Sequence, residues 1–344
     1  MDGIYLKSQQ LVQYCYPHDN RSCLREIRSS AVYGMLYILS ALSVMLTVVG
    51  NLLVVISVSH FKQLHTPSNL LVLSLAAADF LIGIFLMPFK ITKIIESCWY
   101  FGDRFCFFNA LVDYTLTSVS VSNLIFIAID RYVAICDPLL YSAKITVPIV
   151  QLIIITSWIF SMVYTWAVIF FKRYYFSFGN VSVCVGDCEG FYAESWVLME
   201  FIIMFLIPCA VMASLYSKIF LVARRHLKII NSVNQQICTK ELHQNKRPKN
   251  SERKAAKTLG IVISVFFFCW VPLYTCTIID TYTTLPVPNV MFNILAWLIY
   301  FNSGMNPIIY ALFYPWFKKS VKLILTLKIC NPESSLINLF SINH

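Results

Sequence analysis

Charge is what this chain has least of. Asp, Glu, Lys and Arg make up 13% of its 344 residues and hydrophobic residues 58%, whereas a soluble domain carries about 25% charged residues. The deficit runs along nearly the whole chain, so most of the surface does not face water, and an integral membrane protein is expected. Other absences narrow the class. There is no internal repeat of the kind that transporters build on. The apolar runs hold no nucleophile–base pair and no His/Cys metal spacing, and the six His are scattered in loops and ends. The chain is therefore expected not to be an enzyme and to need no cofactor.

Long uncharged runs take the place of charge. Ala31–Ser59, Ile145–Phe171, Thr258–Ile279 and Thr281–Phe317 contain no Asp, Glu, Lys or Arg. Leu64–Phe89, Phe105–Ala128 and Ser195–Ser217 hold one acid each, namely Asp79, Asp113 and Glu200. A helix needs about 20 apolar residues to cross a bilayer, so seven spans fit. In hydrocarbon only helices and closed barrels satisfy the backbone, and runs this long without alternation are helices. The sequence thus predicts an all-α membrane protein, a seven-transmembrane-helix bundle over 31–317. An outer N-terminal segment (1–30) precedes it, and a short amphipathic eighth helix with a cytoplasmic tail (318–344) follows.

Basic residues set the orientation. They crowd the loop between spans five and six (about 222–254) and its flanks, from Lys218 to Lys257, against only Glu241 and Glu252. Lys318, Lys319, Lys322 and Lys328 follow the last span. Positive loops stay in the cytoplasm, which places the C-terminus inside and the N-terminus outside a multi-pass plasma-membrane protein. The net charge of +10 then reflects topology and an inner docking surface, not nucleic-acid binding. The first 30 residues are polar and basic, unlike a cleavable signal peptide, so the first span is expected to serve as its own insertion signal.

The twelve cysteines divide by location. Cys15, Cys23, Cys98, Cys106, Cys184 and Cys188 fall on the outer side, where an oxidising compartment favours three disulfides, and spacing alone leaves fifteen pairings open. The sequons at Asn20 and Asn180 lie outside as well. Cys330, after a short basic and apolar stretch inside, is either a palmitoylation site or a plain thiol.

Ionisable groups inside a bilayer are expensive, which makes each a functional candidate. Asp79, with Asn51, Asn302 and Asn306, suits a conformational switch holding water or a sodium ion; a satisfied interhelical network is the compatible plainer reading. Asp130-Arg131-Tyr132 closes span three, where Arg131 is either held by Asp130 and Glu252 or merely snorkels to the interface. Asp113 precedes Arg131 by 18 residues, which is roughly 27 Å towards the outside. A desolvated carboxylate there wants a cation. No Lys or Arg within the runs is available, so the partner is expected to arrive from outside as an amine. Tyr114, Thr117, Trp270, Tyr274, Trp297 and Tyr300 would supply aromatic and hydroxyl walls favourable to ammonium, although any one of these aromatics alone is more often packing. Glu200, about two turns to the outer side of Pro208, either forms a second anionic wall that selects diamines or polyamines, or snorkels outward or meets Lys172 or Arg173.

Read in order, these residues resemble the rhodopsin-like, G-protein-coupled receptors. The motifs are Gly50-Asn51, Leu75-Ala76-Ala77-Ala78-Asp79, Asp130-Arg131-Tyr132, Trp158, Pro208 with Tyr216, Cys269-Trp270-Val271-Pro272 and Asn306-Pro307-Ile308-Ile309-Tyr310. The run from Asn302 through Asn306-Pro307 to Phe317, together with His60 to Pro67 and Cys98-Trp99-Tyr100-Phe101-Gly102, is similar to the trace amine-associated receptors. That resemblance implies disulfides Cys106–Cys188, Cys15–Cys184 and Cys23–Cys98. It also implies a ligand ammonium on Asp113 and coupling to a stimulatory or olfactory-type G protein that raises cyclic AMP, in a chemosensory role. The switch itself is expected to run through Phe266, Trp270, Pro272, Asn306, Pro307 and Tyr310. Glu200 resembles the second acid that diamine-sensing members carry, which is commonly Asp. An opsin would carry a retinal-binding Lys where Tyr300 stands. A serotonin- or catecholamine-like receptor, the alternative, often has small hydroxyl residues at the position of Glu200.

Overall fold

A computed structural model of the protein describes residues 13–176, 184–188, 194–237 and 247–340. A helical bundle fills most of it: α1 (Ser30–His60), α2 (Pro67–Phe85), α3 (Met87–Glu96), α4 (Gly102–Cys136), α5 (Pro138–Lys144), α6 (Val147–Phe176), α7 (Glu194–Glu200), α8 (Ile207–Ile237), α9 (Arg247–Tyr282), α10 (Asn289–Phe313) and α11 (Pro315–Leu325). A π-helical turn, Phe201–Leu206, joins α7 to α8. α4 is the central rod, packing against α2, α6, α8 and α9, while α10 closes the ring between α9 and α1.

Local chemistry explains where helices start and bend. Ser29 and Thr66 accept backbone N–H groups at the starts of α1 and α2, the usual cap for otherwise unpaired donors. Pro67 and Pro315 sit in first turns, where a missing N–H does no harm. Pro88 lies next to the break at Leu86 that separates α2 from α3, because its ring cannot continue the hydrogen-bond ladder of the preceding turn. The sequence reading treats 64–89 as one straight span; the structure bends it at Leu86.

Among the described residues, α1, α2, α4, α6, the α7–α8 rod and α9 are each long and apolar enough to cross a membrane. α10, at 25 residues, carries more polar side chains, and Asn302, Ser303 and Asn306 are buried inside the bundle. The exposed face of α6, with Leu152, Ile155, Ile159, Phe160 and Val163, is what a lipid-facing helix requires. Gly50 permits the contact of α1 with α10: a Cβ there would lie 2.8 Å from the Pro307 ring.

α11 is the expected eighth helix. Trp316, Phe317 and Ser320 are buried while Lys318 and Lys322 are exposed. It begins at Pro315, so Trp316 and Phe317 belong to it and not to the last span. The α8 and α9 helices run to Ile237 and from Arg247, well into the segment read as a loop, and residues 238–246 lie outside the description.

At the opposite end a two-stranded hairpin, Gln13–Tyr14 against Leu24–Arg25, is stapled over the bundle. Cys106–Cys188 forms as the resemblance implies, but the other two pairs are crossed: Cys15 joins Cys98 and Cys23 joins Cys184. Backbone pairing gives the reason. Ser22 bridges Val185, and the Cys23 N–H donates to the Val185 carbonyl at 2.9 Å, setting Cys23 beside Cys184. Trp99 N–H donates to the Gly186 carbonyl at 2.7 Å and brings Cys98 under Cys15. Gly186 has φ +102°, and a Cβ there would lie 2.9 Å from that of Cys15, so glycine is needed both for conformation and for room. In a Cys98→Ser protein the thiol released is expected to be that of Cys15, read by maleimide labelling and peptide mapping. A label on Cys23 would restore the other pairing.

Candidate functional site

The site is built where α3, α4, the α7 end and the hairpin-side halves of α9 and α10 converge. Phe89 packs edge-on against Phe101 and Phe105, with ring centroids at 5.1 and 4.7 Å, and Trp99 joins the same cluster. This aromatic knot ties the start of α3 to the start of α4. Its consequence is a pairing the sequence reading excludes: Lys90 Nζ lies 3.0 Å from Asp113 Oδ2. The expectation that Asp113 lacks an internal counter-charge is therefore wrong. Lys90 stands one residue past the run Leu64–Phe89, and the bend at Leu86 carries it inward. Each side chain of the pair keeps about a fifth of its surface open, 23% for Lys90 and 22% for Asp113. One turn along, Lys93 meets Asp187 beside the Cys188 disulfide at 3.0 Å.

Glu200 turns towards α4. The Tyr114 hydroxyl donates to Glu200 Oε1 at 3.0 Å, so the second acid reaches the residue adjoining Asp113. Directly after Glu200 the chain widens into the π turn, closed by the Ile207 N–H on the Ile202 carbonyl. Such turns break the regular register of a helix and recur at functional sites. Here the turn presents Phe201 and Phe205 to Tyr274 on α9, at centroid distances of 5.8 and 4.7 Å. Tyr274 stacks on Trp270 at 6.0 Å and Trp270 on Phe266 at 5.4 Å. A continuous aromatic column thus leads from Glu200 down α9, and the sequence reading missed Phe201 and Phe205, its first members.

Thr117, Trp270 and Tyr300 line a small cavity of about 20 Å³ with Ser120, Asn302 and Ser303, roughly one water in size. Trp297 and Tyr300 pack against the buried cluster of Ile82, Met87, Ile91 and Leu116. Below the cavity Asp79 accepts from Asn306 Nδ2 at 2.7 Å and from Ser120 at 3.5 Å. Asn51 instead donates to the Thr47 and Ser303 carbonyls, and Asn302 borders the cavity. The four polar residues singled out in the sequence thus lie in one region, with Ser120 and Ser303 added.

At the α11 end Arg131 Nε donates to Asp130 Oδ2 at 2.8 Å. Ser68 and Tyr141 each donate to Asp130, both at 2.8 Å, and Arg131 also reaches Ser68. Ser68 and Tyr141 were not legible as members of this latch. Tyr132 lies beneath Lys218, whose Nζ is 5.9 Å from its ring centroid. Tyr310 is buried against Tyr314, and Pro272 sits within α9. Asn20 is exposed on the hairpin turn and Cys330 after α11. Asn180 and the side chains of Lys172, Arg173 and Glu252 lie outside the description.

A helical bundle with this latch on α4, a buried acid on α2 tied to an Asn-Pro helix, and the acids Asp113 and Glu200 at the opposite end defines a receptor of the rhodopsin type. Residues 50–310 match the family described as 7 transmembrane receptor (rhodopsin family). Trace amine-associated receptor 13c of Danio rerio is 42% identical over 96% of this chain and 97% of its own length. Trace amine-associated receptor 8a of Rattus norvegicus is 45% identical over 97% of this chain and 98% of its own. Trace amine-associated receptor 6 of Pan troglodytes is 42% identical over 96% of each. The chain belongs to the trace amine-associated receptors. It is a multi-pass G-protein-coupled receptor and not an enzyme.

Proposed function

We propose that this receptor binds cationic amines from outside the cell, with diamines or polyamines its preferred ligands, and raises cyclic AMP through a stimulatory or olfactory-type G protein in a chemosensory role. The observation that supports the reading is the 3.0 Å bond from Tyr114 to Glu200, which brings the second carboxylate to the residue next to Asp113. A ligand ammonium takes Asp113 and the far end of a diamine takes Glu200. Trp297 and Tyr300 offer faces that favour ammonium by about 0.5–2 kcal/mol each, while Trp270 and Tyr274, stacked within the column, meet the ligand at their edges.

Binding at Glu200 acts on the π turn, and through Phe201 and Phe205 on Tyr274, Trp270 and Phe266. Pro272 and Pro307 permit α9 and α10 to bend, while Asp79, Asn51, Asn302 and Asn306 repack. The inner end of α9 swings out, and the Asp130-Arg131-Tyr132 latch opens to the G protein beside the basic ends of α8 and α9. A ligand drives this only by its difference in affinity for the two states. The orientation, N-terminus outside in the plasma membrane, is supported by the three disulfides at the hairpin end, which need an oxidising compartment, and by the basic residues at the other. Glycans at Asn20 and Asn180 and a palmitoyl group on Cys330 belong to the same proposal.

A cyclic-AMP reporter in cells displaying the receptor, titrated with monoamines, diamines and polyamines, tests it. Diamines are expected to act at the lowest concentrations. A response to serotonin or catecholamines at concentrations lower than any diamine needs would favour the neurotransmitter reading. Silence towards all amines at full surface display would remove both.

A further inference from the structure

We propose that Lys90 is a tethered competitor for the ligand: its ammonium holds Asp113 in the resting receptor, and an incoming amine must displace it or bind against its charge. The inference rests on the amine reading above and adds a residue that sets the sensitivity of the site.

The geometry supports a built contact. Lys90 Nζ lies 3.0 Å from Asp113 Oδ2. The backbone on which Lys90 stands is fixed on both sides, by the Phe89 ring in the knot with Phe101 and Phe105 and by the buried Ile91. Its neighbour on the same face, Lys93, is engaged by Asp187. A surface lysine loses much of any ion pair to side-chain entropy and screening; a lysine whose backbone is immobilised and whose side chain is only 23% open loses less. An alkylammonium on a four-carbon stem is chemically what a primary amine ligand is. The carboxylate can accept from two cations at once, one on each oxygen, but two ammonium groups about 5 Å apart repel with an energy of a few kcal/mol even at an effective dielectric near 20. By displacement or by repulsion, Lys90 raises the concentration of amine needed to occupy Asp113. The effect falls on the Asp113 end alone, so it is common to monoamines and diamines.

Lys90→Met keeps the stem and removes the charge. In the cyclic-AMP assay, with surface display measured in parallel, the half-maximal concentration is expected to fall by about tenfold for monoamines and diamines alike, leaving the ratio between them unchanged. Lys90→Arg, whose fork grips a carboxylate with two parallel bonds, is expected to raise it, and this variant decides the matter should Lys90→Met not reach the surface. An unchanged or higher half-maximal concentration in Lys90→Met overturns the proposal, as does Lys90→Arg equal to wild type. An ω-amino acid that activates wild type and loses activity in Lys90→Met overturns it too, since Lys90 would then be an anchor for an anionic ligand group. If wild type answers amines and Lys90→Met matches it, only the role of Lys90 falls. If neither receptor answers any amine, the amine reading falls and takes this inference with it.

Discussion

Asp113→Asn is expected to raise the half-maximal amine concentration by at least about a hundredfold at normal surface display, for every amine that activates the wild-type receptor. The carboxamide keeps the shape of the side chain and loses the charge, so the change isolates the ion pair. A hundredfold corresponds to about 2.8 kcal/mol, well within the roughly 4 kcal/mol that a unit-charge pair gains at 4 Å and an effective dielectric near 20. The substitution also strands Lys90, which the wild-type carboxylate holds at 3.0 Å. The stranded ammonium sits in the cleft and repels the ligand, adding to the loss. A Lys90→Met/Asp113→Asn protein separates the two contributions: it is expected to recover the repulsive part alone and to stay far less sensitive than wild type. Should the double variant respond like wild type, the missing carboxylate was never the ligand's partner, and Lys90 repulsion was the whole effect.

Glu200→Gln is expected to discriminate between ligands where Asp113→Asn does not. Tyr114 can still donate to the carboxamide oxygen in place of the carboxylate it meets at 3.0 Å, so the wall keeps its geometry. Diamines lose their second ion pair, and their half-maximal concentration is expected to rise by about ten- to thirtyfold, or about 1.4–2 kcal/mol. Monoamines, which leave Glu200 to Tyr114, are expected to shift by less than about threefold. The measurement is the ratio of diamine to monoamine potency in the two receptors. Equal shifts for both classes would mean that Glu200 supports the π turn and the aromatic column of Phe205, Tyr274 and Trp270 without touching the ligand.

The helical spans were legible as apolar runs, which a bilayer allows only as helices or closed barrels. Their bounds were not, since the run 64–89 breaks at Leu86 and α8 and α9 outrun theirs. Legible too were Asp79 and Asn306, now 2.7 Å apart, and Arg131 beside Asp130. Lys90 was not: it follows the run Leu64–Phe89 by one residue, and the break at Leu86 interrupts the period by which its face could be assigned from Asp79. Phe201 and Phe205 gave no signal either, because the π turn breaks the period by which a helix face is assigned. The crossed pairs Cys15–Cys98 and Cys23–Cys184 were out of reach of spacing altogether, since Cys15, Cys23 and Cys98 form one buried cluster in which either exchange closes loops of similar size.

By itself the sequence determined that the chain is a bundle of membrane spans, how deep each acid lies along its own helix, and which receptor family the motifs spell. These properties follow from one helix at a time, through rise per residue and the need to satisfy every backbone group within the segment. Only the tertiary structure decided that Asp113 already holds an ammonium, that Glu200 leans on Tyr114, and which cysteines meet beneath the hairpin. Those outcomes depend on a bend at Leu86, a widened turn after Glu200 and a strand laid along Val185. Each is a small rotation or displacement that moves a side chain from one neighbour to another without altering the helical pattern written in the chain.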